Sequence, residues 1–376
     1  MNSLQQFSLP IFALCYQHIA KPLLFHINPE LVHDRTTKLA EQLGEDIIIR
    51  KLTEAVFRYD HPMLQQEIAG IHFANPVGLA AGFDYEARLT QLLPALGFGF
   101  ETIGTITYQP YEGNPRPMLG RLPKSQSLMV NKGFKNAGVK AIIEKLAPKH
   151  FAIPTGISIG RTNTASIKTQ KQAVEDILHC FILLERSKVS HAYYELNISC
   201  PNLSGDVSFY PPKNLKDLLQ EVETLHLTRP LFIKMPIEKD DKKTKTMLEV
   251  IAKCSPRGVI FGNLQKDRTN PKLDKSEVAK YPVGNFSGKP TYERSNELIS
   301  LAYKGYKDRF IIIGCGGIFS AEDAYEKIKR GASLVQLITG MIFKGPQLIT
   351  QINRGLVELL QKDGFSHISE AVGSKT

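Results

Sequence analysis

The 376-residue sequence predicts an α/β fold, a single (β/α)8 TIM barrel preceded by a short N-terminal helical extension. Three observations predict it. From about residue 75 onward, short apolar, β-rich runs alternate with longer amphipathic stretches, giving eight strand–helix pairs. The runs are continuously apolar rather than alternating, which suits parallel strands buried on both faces. Residues 1–60 stand outside this rhythm and form a separate unit before a barrel of residues 61–376. Eight repeats favour closure into a barrel over an open doubly wound sheet, the alternative that the same rhythm allows.

In order along the chain, segments 9–24 and 29–43 read as two short helices, with Pro22 and the Asn28, Pro29 pair as breaks. The first carries Ile11, Phe12, Leu14, Ile19 and Leu23, an apolar allotment for an element with no barrel role. It either packs on the barrel or docks at a membrane interface. Strands are expected at 77–81, 100–104, 155–159, 193–198, 231–235, 258–262, 310–314 and 333–337. Helices are expected between them, among them 172–185 and 321–329, the latter entered through Ser320 as N-cap.

Composition narrows the class. Five cysteines without CxxC spacing argue against a zinc ribbon or a disulfide framework and for a reducing compartment. The net charge of +10 comes from lysines interleaved with acids, as at Lys239, Asp240, Asp241 and Lys242, which is a solvated helix face. No motif supplies the compact basic patch with stacking aromatics that nucleic acid requires. No apolar run reaches the ~18 residues of a membrane span.

In such a barrel the chemistry sits where strands end. Ala81 and Gly82 follow the first strand, small residues that admit a flat ligand. Thr105 follows the second, and Asn197, Cys200 and Asn202 the fourth. Lys234 ends the fifth, and Asn263 follows the sixth. Gly316 and Gly317 after the seventh strand, and Thr339 and Gly340 after the eighth, each lead into a helix start. Such loops make a phosphate cradle, so a phosphorylated cofactor is expected. Cys200, beside Pro201 in a loop, is either an acid/base group or an inert thiol. Lys234 either pairs with an acid or stabilises negative charge on a bound ring.

At these residues the chain resembles the dihydroorotate dehydrogenases, most closely the class 2, membrane-associated, quinone-linked branch. The resemblance is carried by NPVGLAAGFD (75–84), GFGFETIGTIT (97–107), GNPRP (113–117), NKGFKNAGV (131–139), NISCPN (197–202), GCGGIFSAEDAYEKI (314–328) and GASLVQLITG (331–340). NPELVHDRTTKLAE (28–41) resembles the helical domain that forms the quinone tunnel in that branch. The resemblance implies FMN, its phosphate held by Gly288, Gly316, Gly317, Thr339 and Gly340. It places Ala81, Gly82, Thr105, Asn197 and Lys234 at the flavin ring. It implies a cyclic substrate contacted by Asn197, Asn202, Asn263, Tyr85, Lys132, Gly133 and Phe134, with Cys200 in the base position. It also implies a quinone acceptor and a place in the cytoplasm or, peripherally, at the cytoplasmic side of the inner membrane.

Four departures stand out. The base of class 2 relatives is usually serine, whereas Cys200 matches class 1. Tyr85 replaces the lysine that pairs with the orotate carboxylate, Val130 an asparagine, and Leu264 a hydroxyl residue. Ser158 stands where relatives carry a flavin-contacting asparagine. Losing one charge-assisted bond weakens carboxylate binding by about ten- to a hundredfold unless Lys132 or Lys135 restores the charge. Three readings follow: oxidation of dihydroorotate or a close analogue with quinone as acceptor, a paralogous flavin oxidoreductase acting on a different, non-orotate cyclic substrate, or a flavin-binding scaffold without activity, which the survival of Cys200, Lys234 and the strand-end asparagines disfavours.

Overall fold

All eight expected strands are present in the computed structural model, which describes residues 3–205 and 207–376. They are β1 (Val77–Leu79), β2 (Phe100–Ile106), β3 (Thr155–Ile159), β4 (Tyr193–Asn197), β5 (Leu231–Met235), β6 (Gly258–Phe261), β7 (Ile311–Cys315) and β8 (Leu334–Leu337). Each pairs in parallel with its sequence neighbour, and β8 pairs with β1 to close the barrel. An antiparallel hairpin, Gln66–Ile68 with Ile71–Phe73, plugs the lower end. There Phe73 meets Phe100 edge-on at 5.4 Å within a cluster that includes Tyr193, Phe232 and Ile313. The packed floor leaves the carboxyl ends of the strands as the open face.

The helix rhythm departs from expectation in the first unit. No helix follows β1 among the described residues; Leu89 to Gly97 form successive turns, such as Leu93 N–H to Leu89 O at 3.0 Å. Pro94 lacks the amide that a helix here would need. The helix expected over 172–185 starts earlier, at Gln170, because Thr169 and Gln172 form a capping box. Ser320 caps Ala321–Lys329 as expected, accepting from Asp323 N–H at 3.3 Å. Over the barrel mouth lies a three-stranded antiparallel sheet of Leu119–Leu122, Ser127–Val130 and Asn285–Phe286.

The described part of the extension holds more helix than the proline breaks suggest. Helix α1 (Ser3–Cys15) continues through a π-helical turn, Tyr16–Ala20, into α2 (Lys21–His26). Pro22 does not end the helix because the π-helical turn Tyr16–Ala20 just before it takes up the missing amide hydrogen bond. Asn28 caps α3 (Pro29–Glu45) by accepting from Glu30 N–H at 2.9 Å. Helix α4 (Ile47–Phe57), capped by Asp46, was not expected. Arg88 ties α3 to the barrel, 3.0 Å from Asp34 and 3.6 Å from Glu41. Apart from Val283, every exposed large apolar side chain among the described residues lies between Phe7 and Leu52. Among the described residues no helix is long and apolar enough to cross a membrane.

Candidate active site

Every site residue expected from the sequence lines one cavity at the carboxyl ends of the strands, enclosing about 1210 Å³ with its open mouth included. Its inner wall is a polar chain. Asn197 Nδ2 donates to Thr105 Oγ1 at 2.9 Å, Thr105 lies 2.8 Å from Ser158 Oγ, and Ser158 donates to Glu195 Oε1 at 2.7 Å. Lys234 Nζ is 3.7 Å from Glu195 Oε2, an oxygen with no hydrogen-bond partner, and both residues are buried. Burial alone would depress the Lys234 ammonium; Glu195 more than offsets this and holds it above the usual lysine value. The cavity therefore keeps a fixed cation at neutral pH.

Three asparagines are locked in orientation. Asn197 Oδ1 accepts from Ser199 Oγ–H at 2.9 Å, and Asn263 Nδ2 donates to Ser199 Oγ at 2.7 Å. Asn202 Nδ2 donates to Val130 O at 3.0 Å, while its Oδ1 accepts from Asn285 at 2.7 Å. Each amide keeps a second N–H for a ligand. Cys200 lies between them, half-buried. Burial pushes its thiol up to about 12, against the pull of an Asn202 amide and the Arg161 and Lys266 charges.

The glycine loops are shaped as a cradle. Gly316 and Gly317 have φ of 105° and 76°, and Gly288 has 80°, a region closed to most side chains. A Cβ on Gly288 would meet Gln126 O at 2.3 Å. Thr339 Oγ1 lies 2.8 Å from Ser287 Oγ beside them. The departures Tyr85, Val130 and Leu264 line the same cavity.

A second, apolar chamber of about 1150 Å³ runs from this cavity between α3 and the barrel, sharing His33, Phe83, Leu119, Leu128 and Ile342 with it. Tyr16 and Pro346 continue it to a shallow apolar mouth at Phe12 and Ile19. His33 stands at the junction. Its Nε2 lies 2.9 Å from Phe83 O, and its ring stacks on Tyr85 at 5.2 Å and 9°. Burial and Lys132 lower His33 to about 3, so it is neutral. Sequence reasoning passed over His33, as well as Ser287, Thr291 and Cys315. For His33 the signal was its place one residue after Val32 and three before Thr36 on an amphipathic helix.

The family model described as Dihydroorotate dehydrogenase matches residues 63–360. The chain belongs to the dihydroorotate dehydrogenase family. It is 34% identical to the dihydroorotate dehydrogenase (quinone) of a Roseiflexus species, covering 94% of this chain and 97% of that one. It is 35% identical to the namesake from Gloeobacter violaceus, covering 94% and 98%. A crystal structure of the Eimeria tenella dihydroorotate dehydrogenase with ferulenol superposes with a TM-score of 0.78 at 27% identity, over 92% of this chain and 95% of that one. As a member of this family the protein is an FMN-dependent oxidoreductase. The residues present fit that group: left-handed glycines offer backbone N–H groups to a phosphate, Ala81 and Gly82 leave a flat wall, and Lys234 supplies a buried cation.

Proposed function

We propose that this protein oxidises dihydroorotate, or a close cyclic analogue, with FMN and delivers the electrons to a quinone. The observation that carries the proposal is the continuity of two chambers, a polar one holding Cys200, Lys234 and the three asparagines, and an apolar one that meets it at His33. In this reading Gly288, Gly316, Gly317, Thr339 and Gly340 hold the FMN phosphate, and Ala81, Gly82, Thr105, Asn197 and Lys234 contact the ring. FMN, when bound, takes up the hydride that leaves the substrate ring.

The chain's own residues do the rest. Asn197, Asn202 and Asn263 grip the substrate ring through their spare N–H groups, with the loop of Lys132, Gly133 and Phe134 and the Tyr85 ring completing the wall. The Cys200 thiolate removes the proton from the ring carbon next to the hydride-bearing one, and the ring gains a double bond. Lys234 stabilises the negative charge that arrives at the cofactor. Arg161 and Lys266, which favour the Cys200 anion, ease formation of the thiolate that burial opposes.

Residues 1–60 form the acceptor unit in this proposal. The quinone ring reaches His33 through the apolar chamber, and the apolar side chains of α1 to α4 rest in the surface of a membrane as a peripheral contact.

Anaerobic titration of the holoenzyme with dihydroorotate tests the reading. Rapid bleaching of the flavin band is expected, and Cys200→Ala should slow it about 10²–10⁴-fold with FMN retained. A flavin that stays oxidised would move the function to a different cyclic substrate.

A further inference from the structure

The short loop around Gly133 carries three features that point to an anion. Gly133 and Phe134 are both left-handed, with φ of 65° and 66°. For phenylalanine that conformation persists only where the surroundings enforce it. They do: Phe134 O accepts from Asn136 Nδ2 at 2.8 Å and its ring packs against Gly160, while a Cβ on Gly133 would lie 2.4 Å from Asn114 Oδ1. The loop is anchored at both ends, Asn131 N–H to Met118 O at 2.8 Å and Asn136 N–H to Tyr111 O at 3.0 Å, and the four amides of residues 132–135 are unpaired among the described residues. Successive free N–H groups in a rigid turn make a concave receptor for negative charge.

The third feature is the pair of lysines that bracket the turn. Lys132 and Lys135 both line the cavity, and neither forms a salt bridge among the described residues. Lys132 instead sits over the Tyr85 ring, its Nζ 4.2 Å from the centroid. The other lysine of the cavity, Lys234, is already matched by Glu195. Two like charges beside free amides repel each other, and an anion between them offsets that cost.

We propose that Lys132, held by the Tyr85 ring as its platform, supplies with Lys135 the cation for a carboxylate at the Gly133 and Phe134 loop, whose substrate contact the family resemblance already implies. The ligand class is a planar ring bearing one carboxylate. The inference rests on the cavity being the substrate site, and it locates the cation on the loop after Val130 rather than on the one after Asp84.

The test measures binding to the FMN holoenzyme of orotate, picolinate and benzoate, each against its own carboxamide, by calorimetry and flavin absorbance. Wild type should prefer at least one carboxylate over its amide. Lys132→Met should weaken that carboxylate about ten- to a hundredfold and leave the amide unchanged. Tyr85→Lys on the Lys132→Met background should restore the preference, because a lysine at 85 can bring its ammonium to the same space. FMN content of one per chain certifies each variant as folded. No preference for any carboxylate in wild type, or equal loss of acid and amide in Lys132→Met, would overturn this role of Lys132. A preference for picolinate or benzoate with no orotate binding would support it while removing dihydroorotate as substrate.

Discussion

Cys200 shows how far one side chain's surroundings set its chemistry. Burial holds the thiol near 12, so it is protonated in the ligand-free cavity at neutral pH, and its thiolate fraction rises tenfold per pH unit below that value. Flavin reduction by substrate should therefore accelerate with pH up to at least 9, read by stopped-flow, and Cys200→Ser should be slower throughout. A pH-independent rate in wild type would remove Cys200 as base. Lys132 titrates with the opposite consequence. Burial and then Lys135 lower it to about 7, while Glu30, Glu86 and Asp34 pull it back slightly; His33 beside it stays neutral, and Tyr85 is raised further from titration. Carboxylate affinity should be full below about pH 7, where the ammonium already exists, and fall by up to about tenfold per unit above it. In Lys132→Met the slope should vanish. The placement of Cys200 and Lys234 in the cavity was legible because barrel strands end at the open face. The stacking of Lys132 on Tyr85, and of Tyr85 on His33, was not, since it joins three segments far apart in sequence.

At the scale of elements, the barrel strands were readable because burial on both faces writes a continuous apolar run, and β3 and β5 match the expected bounds to the residue. The extension was harder. Proline suggested a break at 22 that the preceding π-helical turn absorbs, and the run of Ile47, Ile48 and Ile49 gave no amphipathic period by which to recognise α4. What the helices expose supports the proposed membrane contact. Phe7 is 76% exposed, Leu14 59% and Leu23 64%, on the same helical stretch whose Phe12 and Ile19 line the mouth of the apolar chamber. Water-facing apolar area of this kind is stable where something covers it. Replacing Phe7, Ile11 and Leu14 with glutamate should reduce co-sedimentation with phospholipid vesicles at least about tenfold, since each loses on the order of 1–2 kcal/mol of burial. Flavin reduction by substrate should be unchanged. Equal vesicle binding by the triple variant would remove the membrane contact.

For the whole molecule, closing the barrel places carboxyl groups where water cannot reach them, a consequence invisible in a linear pattern. Glu101 lies on β2, fully buried; its Oε1 accepts from Thr155 Oγ1 at 3.0 Å, and its Oε2 has no partner. Burial, then the nearby Asp84, raises Glu101 to about 8. Asp84, which accepts amides of Arg88 and Leu89 at 2.8 and 2.7 Å, is itself raised by burial to about 6. Unfolded, both titrate near 4. The sign follows: the folded state binds more protons than the unfolded state between these limits, so stability is full below about pH 4 and declines as pH rises through 6 and then 8. The site needs that face of the barrel dry, because the same closure that buries Glu101 also keeps Glu195 against Lys234. Glu101→Gln removes the later part of the decline without altering shape. Thermal unfolding of the FMN-bound protein should show wild type losing on the order of 1–3 kcal/mol between pH 6 and pH 9 relative to the variant. Parallel curves for the two proteins across that range would mean that Glu101 stays ionised in the folded barrel, and the raised carboxyl would have to be abandoned.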